Sequence, residues 1–214
     1  SYETGQEKRQ RIVYVESGGT GLLHAFDATT GEELYAYMPP ALLKKAFKLY
    51  KADGQDEDPA EFSWLAANPP RVEDIPDGAG GWSTQLVMTL GPGGEDFVVL
   101  DITEPSVCTG DPCEYEINYP PFSIVAASSQ MAPSVSSTFG QTWSLPAFYY
   151  NSELMVQAAM GSGYEKTAGS LEGRYYNLFT TLSDWSTAIG DHQSYLLNPP
   201  VAPLPKLKDK HYTV

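Results

Sequence analysis

The residues of this chain that could do chemistry fall into three small groups, and the first is a pair of cysteines. Cys108 and Cys113 are its two cysteines, and they enclose a loop containing a Gly and a Pro. A disulfide across this loop fits an oxidising compartment, and the alternatives are two free thiols or half of a metal site. Half a site needs two further soft ligands, and the chain has no third Cys. The spacing therefore favours the disulfide.

The second group is an acidic loop that contains Asp53, Asp56 and Asp58. Calcium takes several oxygen ligands from one compact loop. The spacing here lacks the Asp/Asn-Gly register and the distal Glu of an EF-hand loop, so these residues are weak candidates for a metal site. We expect a solvated acidic loop and no cofactor, with calcium as the single alternative.

The third group comprises the residues that could serve a nucleophile and its base. His24 alternates with apolar residues, as a structural histidine in a strand does, and Gly161-Ser162-Gly163 is interpreted as a turn. A nucleophile needs an adjacent base and an orienting third group. No Gly-x-Ser-x-Gly elbow, P-loop or dinucleotide fingerprint is present. We therefore predict no catalytic residue and no enzymatic activity.

Composition narrows the function classes further. The net charge is −14, from 27 acidic residues against 13 Lys and Arg. A nucleic-acid binder needs clustered cations, and none is visible here, so this class is excluded. No run of residues is apolar enough to span a bilayer. The 19 Gly and 17 Pro favour turns over long helices.

The elements that must position these residues are short strands. Residues 11–37 show three strands on two tight turns, which indicates an antiparallel meander. One amphipathic helix follows at 41–50, where apolar residues form a stripe opposite lysines. Residues 51–81 are expected to be loop-like, and residues 120–142 have no assignment. The later strands are predicted at 82–90, 97–101, 115–119, 145–150, 154–160 and 175–181.

An internal repeat is the most informative pattern. LLHAFDATTG at 22–31 resembles FVVLDITEP at 97–105, and both strands end in an Asp, Asp27 and Asp101. Such an Asp can accept a bond from the backbone N–H two residues later and so form an Asx turn. Gly31 supplies a positive φ for that turn, and Gly161 and Gly163 are expected to serve a later turn.

Repeated meanders indicate propeller blades, and we count about two and a half of them. The predicted fold is all-β, a partial propeller of antiparallel meander blades with one short helix insertion. The domain organisation follows as a connector at 1–10, a β domain at 11–181 and a Pro-rich tail at 182–214. The helix and the acidic insertion occupy about 41–68 of the β domain.

The stretch RIVYVESGGTGLLHAFDATTGEELYAYMPPALL resembles the blade signature of the PilY family, the quinoprotein-like C-terminal propeller of type IV pilus tip-associated proteins. Three later stretches follow in the family's order: GGWSTQLVMTLGPGGEDFVVLDITEP, WSLPAFYY and MVQAAMGSGY. The resemblance covers roughly residues 11–50 and 69–165. The acidic insertion at 51–68 departs from the family pattern, and beyond Tyr164 no further blade ends in Asp-x-x-x-Gly.

The resemblance implies a secreted protein, exported through the periplasm to the cell surface at the pilus tip. It implies support of pilus assembly and adhesion through protein binding. The implied partners are pilins or minor pilins, and further blades on the same or another chain. Two alternatives stay open: a fragment of a quinoprotein dehydrogenase, and a periplasmic propeller scaffold without a pilus role. Because the chain begins with Ser1 rather than Met, we interpret it as a processed or excised segment.

Overall fold

The computed structural model is built from antiparallel strands and one α-helix. Its described residues are 9–52, 65–66, 68–76, 81–127, 141–150, 156–161, 174–179 and 193–196. Within them lie three sheets, of three, four and four strands, and one separate two-stranded hairpin. The expectation of an all-β fold with one short helix is confirmed.

Sheet 1 is the first predicted meander, in the order β1-β2-β3. Its strands are β1 (Ile12–Glu16), β2 (Leu23–Asp27) and β3 (Glu33–Tyr37). The turn between β2 and β3 closes when the N–H of Gly31, at φ +77°, donates to the carbonyl of Asp27 at 2.8 Å. A residue with a Cβ is strained at that φ, which explains why a Gly stands there.

Helix α1 (Pro40–Ala52) extends the predicted helix by one residue at its start and two at its end. Pro40 suits the first turn because its missing N–H would have no partner in the helix. The apolar stripe packs as expected: Leu42 is fully buried, and Lys45 reaches across to donate to the carbonyl of Gly93 at 2.7 Å. The helix therefore covers one end of the core that sheets 1 and 2 share.

Sheet 2 differs from the predicted second meander. It contains β4 (Arg71–Pro76), β5 (Trp82–Thr89), β6 (Phe97–Asp101) and β9 (Ser123–Ala127), in the order β4-β5-β6-β9. β4 lies inside the predicted loop at 51–81, and its flanking prolines and acidic residues hid it. A 3₁₀ turn at Gly91–Gly93 connects β5 and β6.

The prediction that the strand at 115–119 is the third strand of this sheet was wrong. β8 (Glu114–Ile117) pairs instead with β7 (Ser106–Thr109) in the separate hairpin. Its side chains are largely exposed, whereas β9 buries Ala126 and Ala127 against the core. The apolar end of β9 is what selects it as the partner of β6.

Sheet 3 contains β10 (Ala147–Tyr150), β11 (Val156–Gly161), β12 (Arg174–Phe179) and β13 (Gln193–Leu196), in that order. The predicted hairpin at 145–160 is present, with Ala147 opposite Ala159. β13 lies within 182–214, which was expected to be a Pro-rich tail, and it pairs with β12. The Pro content of that range masked a short strand.

Candidate interaction surface

The first two sheets are structural repeats of each other. In sheet 1, Ile12 pairs with Asp27 and the next four residues of β1 pair in order back to Leu23. In sheet 2, Gln85 pairs with Asp101 and the next four residues of β5 pair in order back to Phe97. Aligning the two aspartates therefore makes all five pairs of one ladder equivalent to those of the other.

The third strand of each repeat shows the same irregularity at the same place. The β2–β3 register shifts between Ala25 and Phe26, and the β6–β9 register shifts between Val99 and Leu100. Each shift lies one residue before the strand-ending Asp. A β-bulge conserved between two repeats of one chain marks them as copies of one unit rather than two similar meanders.

Both strand-ending aspartates form Asx turns. Asp27 Oδ1 accepts from the N–H of Thr29 at 2.7 Å and from that of Thr30 at 2.8 Å. Asp101 Oδ1 accepts from the N–H of Thr103 at 2.9 Å. The pKa of Asp27 lies below its usual value because Gln10, Thr30 and Thr29 donate hydrogen bonds to its carboxylate. The two residues therefore fix the blade turns.

Equivalent positions of the two repeats differ in burial on one face. Leu86 and Met88 of β5 are 0% exposed and pack in the core with Leu23 of sheet 1. Their equivalents in β1, Val13 and Val15, are 48% and 45% exposed. Sheet 2 has sheet 1 against this face, whereas nothing among the described residues covers the same face of sheet 1.

We call this surface the open face of sheet 1 and define it by Val13, Val15, His24 and Phe26. Val13 pairs with Phe26, and Val15 with His24, so the four side chains lie on one side of the sheet. The His24 ring stacks on Phe26 at 5.9 Å between centroids and its Nδ1 lies 2.7 Å from Glu33 Oε1. The surface is mainly apolar, as expected of a face that packs on another sheet.

Arg9, just before β1, makes polar contacts with sheet 2. The guanidinium of Arg9 donates to Thr84 Oγ1 at 2.9 Å and to the carbonyl of Ile102 at 3.3 Å, and lies 3.9 Å from Asp74. Residue 9 was assigned to a connector from sequence. Its role depends on contacts 75 and 93 residues away along the chain, which no local pattern reveals.

A buried acid at the same junction was also missed. Both carboxylate oxygens of Glu16 are buried and form no hydrogen bond of normal geometry among the described residues, although the backbone N–H of Asn68 lies near them. Burial raises the pKa of Glu16 to about 8, and the backbone N–H of Asn68 opposes this only partly. The side-chain amide of Asn68 forms other hydrogen bonds, because it donates to Thr89 Oγ1 and to the carbonyl of Thr142.

The other predicted site residues are separated from this junction or lie outside the described residues. Cys108 and Cys113 are joined in a disulfide that closes the β7–β8 hairpin, with 5.4 Å between their Cα atoms. Gly161 ends β11. Gly163 and the three acidic candidates fall outside the described residues: Asp53, Asp56 and Asp58.

Two findings bear on metals and membranes. In the part of the chain that the structure describes, no group of three or more His, Cys, Asp or Glu side chains could hold a metal ion. Across the same residues, no helix has the length and apolarity that a membrane crossing needs.

A cavity of about 520 Å³ lies where sheet 2 meets sheet 3. Arg71 and residues 143–148 line it, with the Trp143 ring exposed. The Trp143 N–H donates to Gln141 Oε1 at 3.0 Å, and Ser144 Oγ donates to the carbonyl of Leu145. The described lining thus offers an apolar wall and one cation.

Comparison with known proteins identifies relatives that this chain resembles. The chain is 36% identical over 106 residues to a type IV pilus biogenesis factor PilY1 homolog of Xylella fastidiosa, and 36% identical over 105 residues to the PilY1 of Pseudomonas aeruginosa strain UCBPP-PA14. The resemblance to the PilY family is confirmed. No protein-family model matches the chain. The PilY alignments cover 50% and 49% of this chain, but only 8% and 9% of those relatives.

The crystal structure of the Pseudomonas aeruginosa PilY1 C-terminal domain is similar to the fold. The match has a TM-score of 0.57 at 18% identity and covers 92% of this chain and 32% of that domain. The predicted fold class, a partial β-propeller of meander blades, is therefore confirmed. The chain covers about a third of that domain.

Proposed function

We propose that this chain is part of an extracellular type IV pilus biogenesis protein that acts by binding other proteins. The curated relatives carry the name type IV pilus biogenesis factor, and the similarity to them spans half of the chain. The observation that supports the proposal is the open face of sheet 1, a mainly apolar surface suited to packing against a further sheet. Its Val13 and Val15 are 48% and 45% exposed, whereas their equivalents Leu86 and Met88 are fully buried.

Binding is favoured over catalysis by the residues that the repeat conserves. Asp27 and Asp101, which the repeat conserves, are used in backbone turns. His24, whose equivalent in sheet 2 is Val98, is held by Glu33 and Phe26. Each of these polar groups thus supports the blade. A pilus-tip protein needs rigid blades that present surfaces, and this use of polar residues suits that task.

The proposed location is the cell surface at the pilus tip, reached through the periplasm. The disulfide of the β7–β8 hairpin supports export because disulfides persist in oxidising compartments. The proposed partners are pilins or minor pilins, and the proposed outcomes are pilus assembly and surface adhesion.

Deletion and complementation test the pilus role directly. A strain that lacks the gene should lose sheared surface pilin, and the full-length wild-type protein should restore it. Full-length protein with Val13→Asp should restore it poorly, because a carboxylate on the open face opposes packing of the next sheet. Val107→Asp is the matched control, since Val107 is 47% exposed on the separate hairpin.

Wild-type levels of surface pilin in the deletion strain would overturn the pilus role. Equal complementation by Val13→Asp and Val107→Asp would overturn the part played by the open face and leave the pilus role standing. Immunoblots of the full-length variants confirm that both reach the surface fraction in equal amounts.

A further inference from the structure

The free edge of β1 is a second surface, distinct from the open face, and its hydrogen-bonding pattern is determined. The N–H of Ser17 donates to the carbonyl of Leu22, and that of Ala28 to the carbonyl of Arg11, both at 2.8 Å. Bonded and non-bonded pairs alternate along an antiparallel ladder. Val13 and Val15 therefore direct their backbone groups to β2, and Ile12, Tyr14 and Glu16 direct theirs outward.

The equivalent residues of sheet 2 have a partner at that edge. There the N–H of Ile102 donates to the carbonyl of Thr84 at 2.9 Å, so Gln85, Val87 and Thr89 face away from β6. They face β4, where Glu73 lies opposite Gln85 and Arg71 lies opposite Val87. Sheet 1 has β1 at its edge and contains no described strand equivalent to β4.

A cleft of about 250 Å³ lies alongside this edge, between β1 and β4. Ile12 and Tyr14 form one wall, and Pro70 and Val72 contribute to the other. A strand paired with β1 would direct the side chain opposite Tyr14 to the same face as Tyr14, and so into this cleft. The cleft therefore has the position and the apolar walls that side chains of a fourth strand need.

An unused acceptor lies at the start of the same edge. Gln10 donates through Nε2 to Asp27 Oδ2 at 2.6 Å, which orients the amide. Its Oε1 is buried and has no hydrogen-bond partner among the described residues. A buried acceptor without a donor is costly, and a backbone N–H of an added strand is a suitable donor.

We infer that sheet 1 is completed by a fourth strand that pairs antiparallel with β1 and comes from the rest of the longer protein. The repeat fixes its register: the residues opposite Ile12, Val13 and Tyr14 take the places of Glu73, Val72 and Arg71. Its residue opposite Val13 should be apolar, because it extends the open face. The strand should carry no Pro at the residues whose N–H faces β1.

We favour the rest of the same protein as the source of this strand, because this chain covers only part of its relatives and because the edge adjoins the open face. This chain covers 8% of the Xylella fastidiosa relative and 32% of the solved PilY1 domain. Whatever sheet covers the open face must lie against Val13 and Val15, next to the edge of the same strand. One contiguous addition from a propeller can satisfy both surfaces, whereas a pilin strand at the edge would leave the open face exposed.

Residue-resolved hydrogen exchange of the full-length protein and of the 214-residue chain tests this inference. In the full-length protein, the amides of Ile12, Tyr14 and Glu16 should exchange at least about 100-fold more slowly than in the chain alone. The amides of Val13 and Val15 are paired with β2 in both samples and are the internal control.

Proline substitutions in the full-length protein give a second measurement. Ile12→Pro removes an outward N–H and should lower protection at Tyr14 and Glu16 while β2 stays protected. Val13→Pro removes an N–H that is paired with β2 and should disrupt both. Pro is tolerated at a free edge, so protection around β1 that is unchanged by Ile12→Pro would contradict the inference.

Four exchange results would overturn the inference. Fast exchange of the outward amides in the full-length protein means that no strand adds. Equal protection in the isolated chain at all concentrations means that the strand lies within the 214 residues, and protection that rises with concentration means a second copy. Protection that appears only after adding purified pilin assigns the edge to the pilin. None of these results depends on the piliation assay, so the inference and the pilus role fail separately.

Discussion

The buried carboxyl of Glu16 makes the stability of the sheet 1–sheet 2 junction depend on pH. Its pKa is raised to about 8 in the folded chain by burial, against 4.5 for an unperturbed Glu. The folded state therefore holds a proton that the unfolded state has released across that interval. The contribution of Glu16 to the free energy of unfolding is therefore largest below pH 4.5, falls as the pH rises from 4.5 to 8, and is constant above pH 8.

The size of the effect follows from the shift. One unit of pKa corresponds to about 1.4 kcal/mol, so the loss between pH 4.5 and 8 is at most roughly 5 kcal/mol. Relaxation of the junction and water entry reduce this, and we expect a loss of roughly 2 to 4 kcal/mol. Glu16→Gln keeps the shape of the protonated acid and removes the titration.

Urea unfolding at pH 5, 7 and 9 measures this prediction. Glu16→Gln should be close to wild type at pH 5 and more stable by roughly 2 to 4 kcal/mol at pH 9. Glu32→Gln replaces an exposed acid of the β2–β3 turn and should leave the wild-type profile unchanged. If Glu16→Gln lowers stability equally at all three pH values, the carboxyl is ionised and hydrogen-bonded in the fold, and the burial argument is wrong.

Four further outcomes test the remaining predictions. Asp27→Ala removes the acceptor for two turn N–H groups and should lower stability in urea unfolding more than Asp27→Asn, which keeps Oδ1. A thiol assay of denatured, unreduced protein should find no free thiol from Cys108 or Cys113, and two free thiols would refute the disulfide. Calorimetry with calcium should show no tight binding, and stoichiometric binding abolished by Asp56→Ala would contradict the solvated-loop expectation. Added quinone cofactor with calcium should not shift the melting temperature, and a shift would support the dehydrogenase alternative.

The sequence predicts those parts of the fold that short-range patterns specify. The strands that end in Asp27 and Asp101 are short apolar segments followed by turn residues, so the first meander and the core of sheet 2 were predicted, and the helix was predicted from its apolar stripe. β4 and β9 were not, because β4 is acidic and flanked by prolines, and β9 depends on which apolar segment can reach β6. Pairing choice of this kind is a long-range property.

The surface that carries the proposal was only partly predictable. The repeat suggested blades, and an incomplete set of blades suggested an open side. The burial difference between Val13 and Leu86 became visible only once both ladders had their registers. Arg9 and Glu16 could not have been found, because their roles depend on residues far along the chain.

Thiol labelling on the open face tests the central claim most directly. Val13→Cys is prepared in the full-length protein and in the 214-residue chain, with Val107→Cys as the control in both, under conditions that preserve the native disulfide. The account predicts fast labelling of Cys at position 13 in the chain alone and labelling at least about 100-fold slower in the full-length protein, with equally fast labelling at position 107 in both. Equal, fast labelling at position 13 in both proteins would show that no further sheet covers the open face, and would contradict the account.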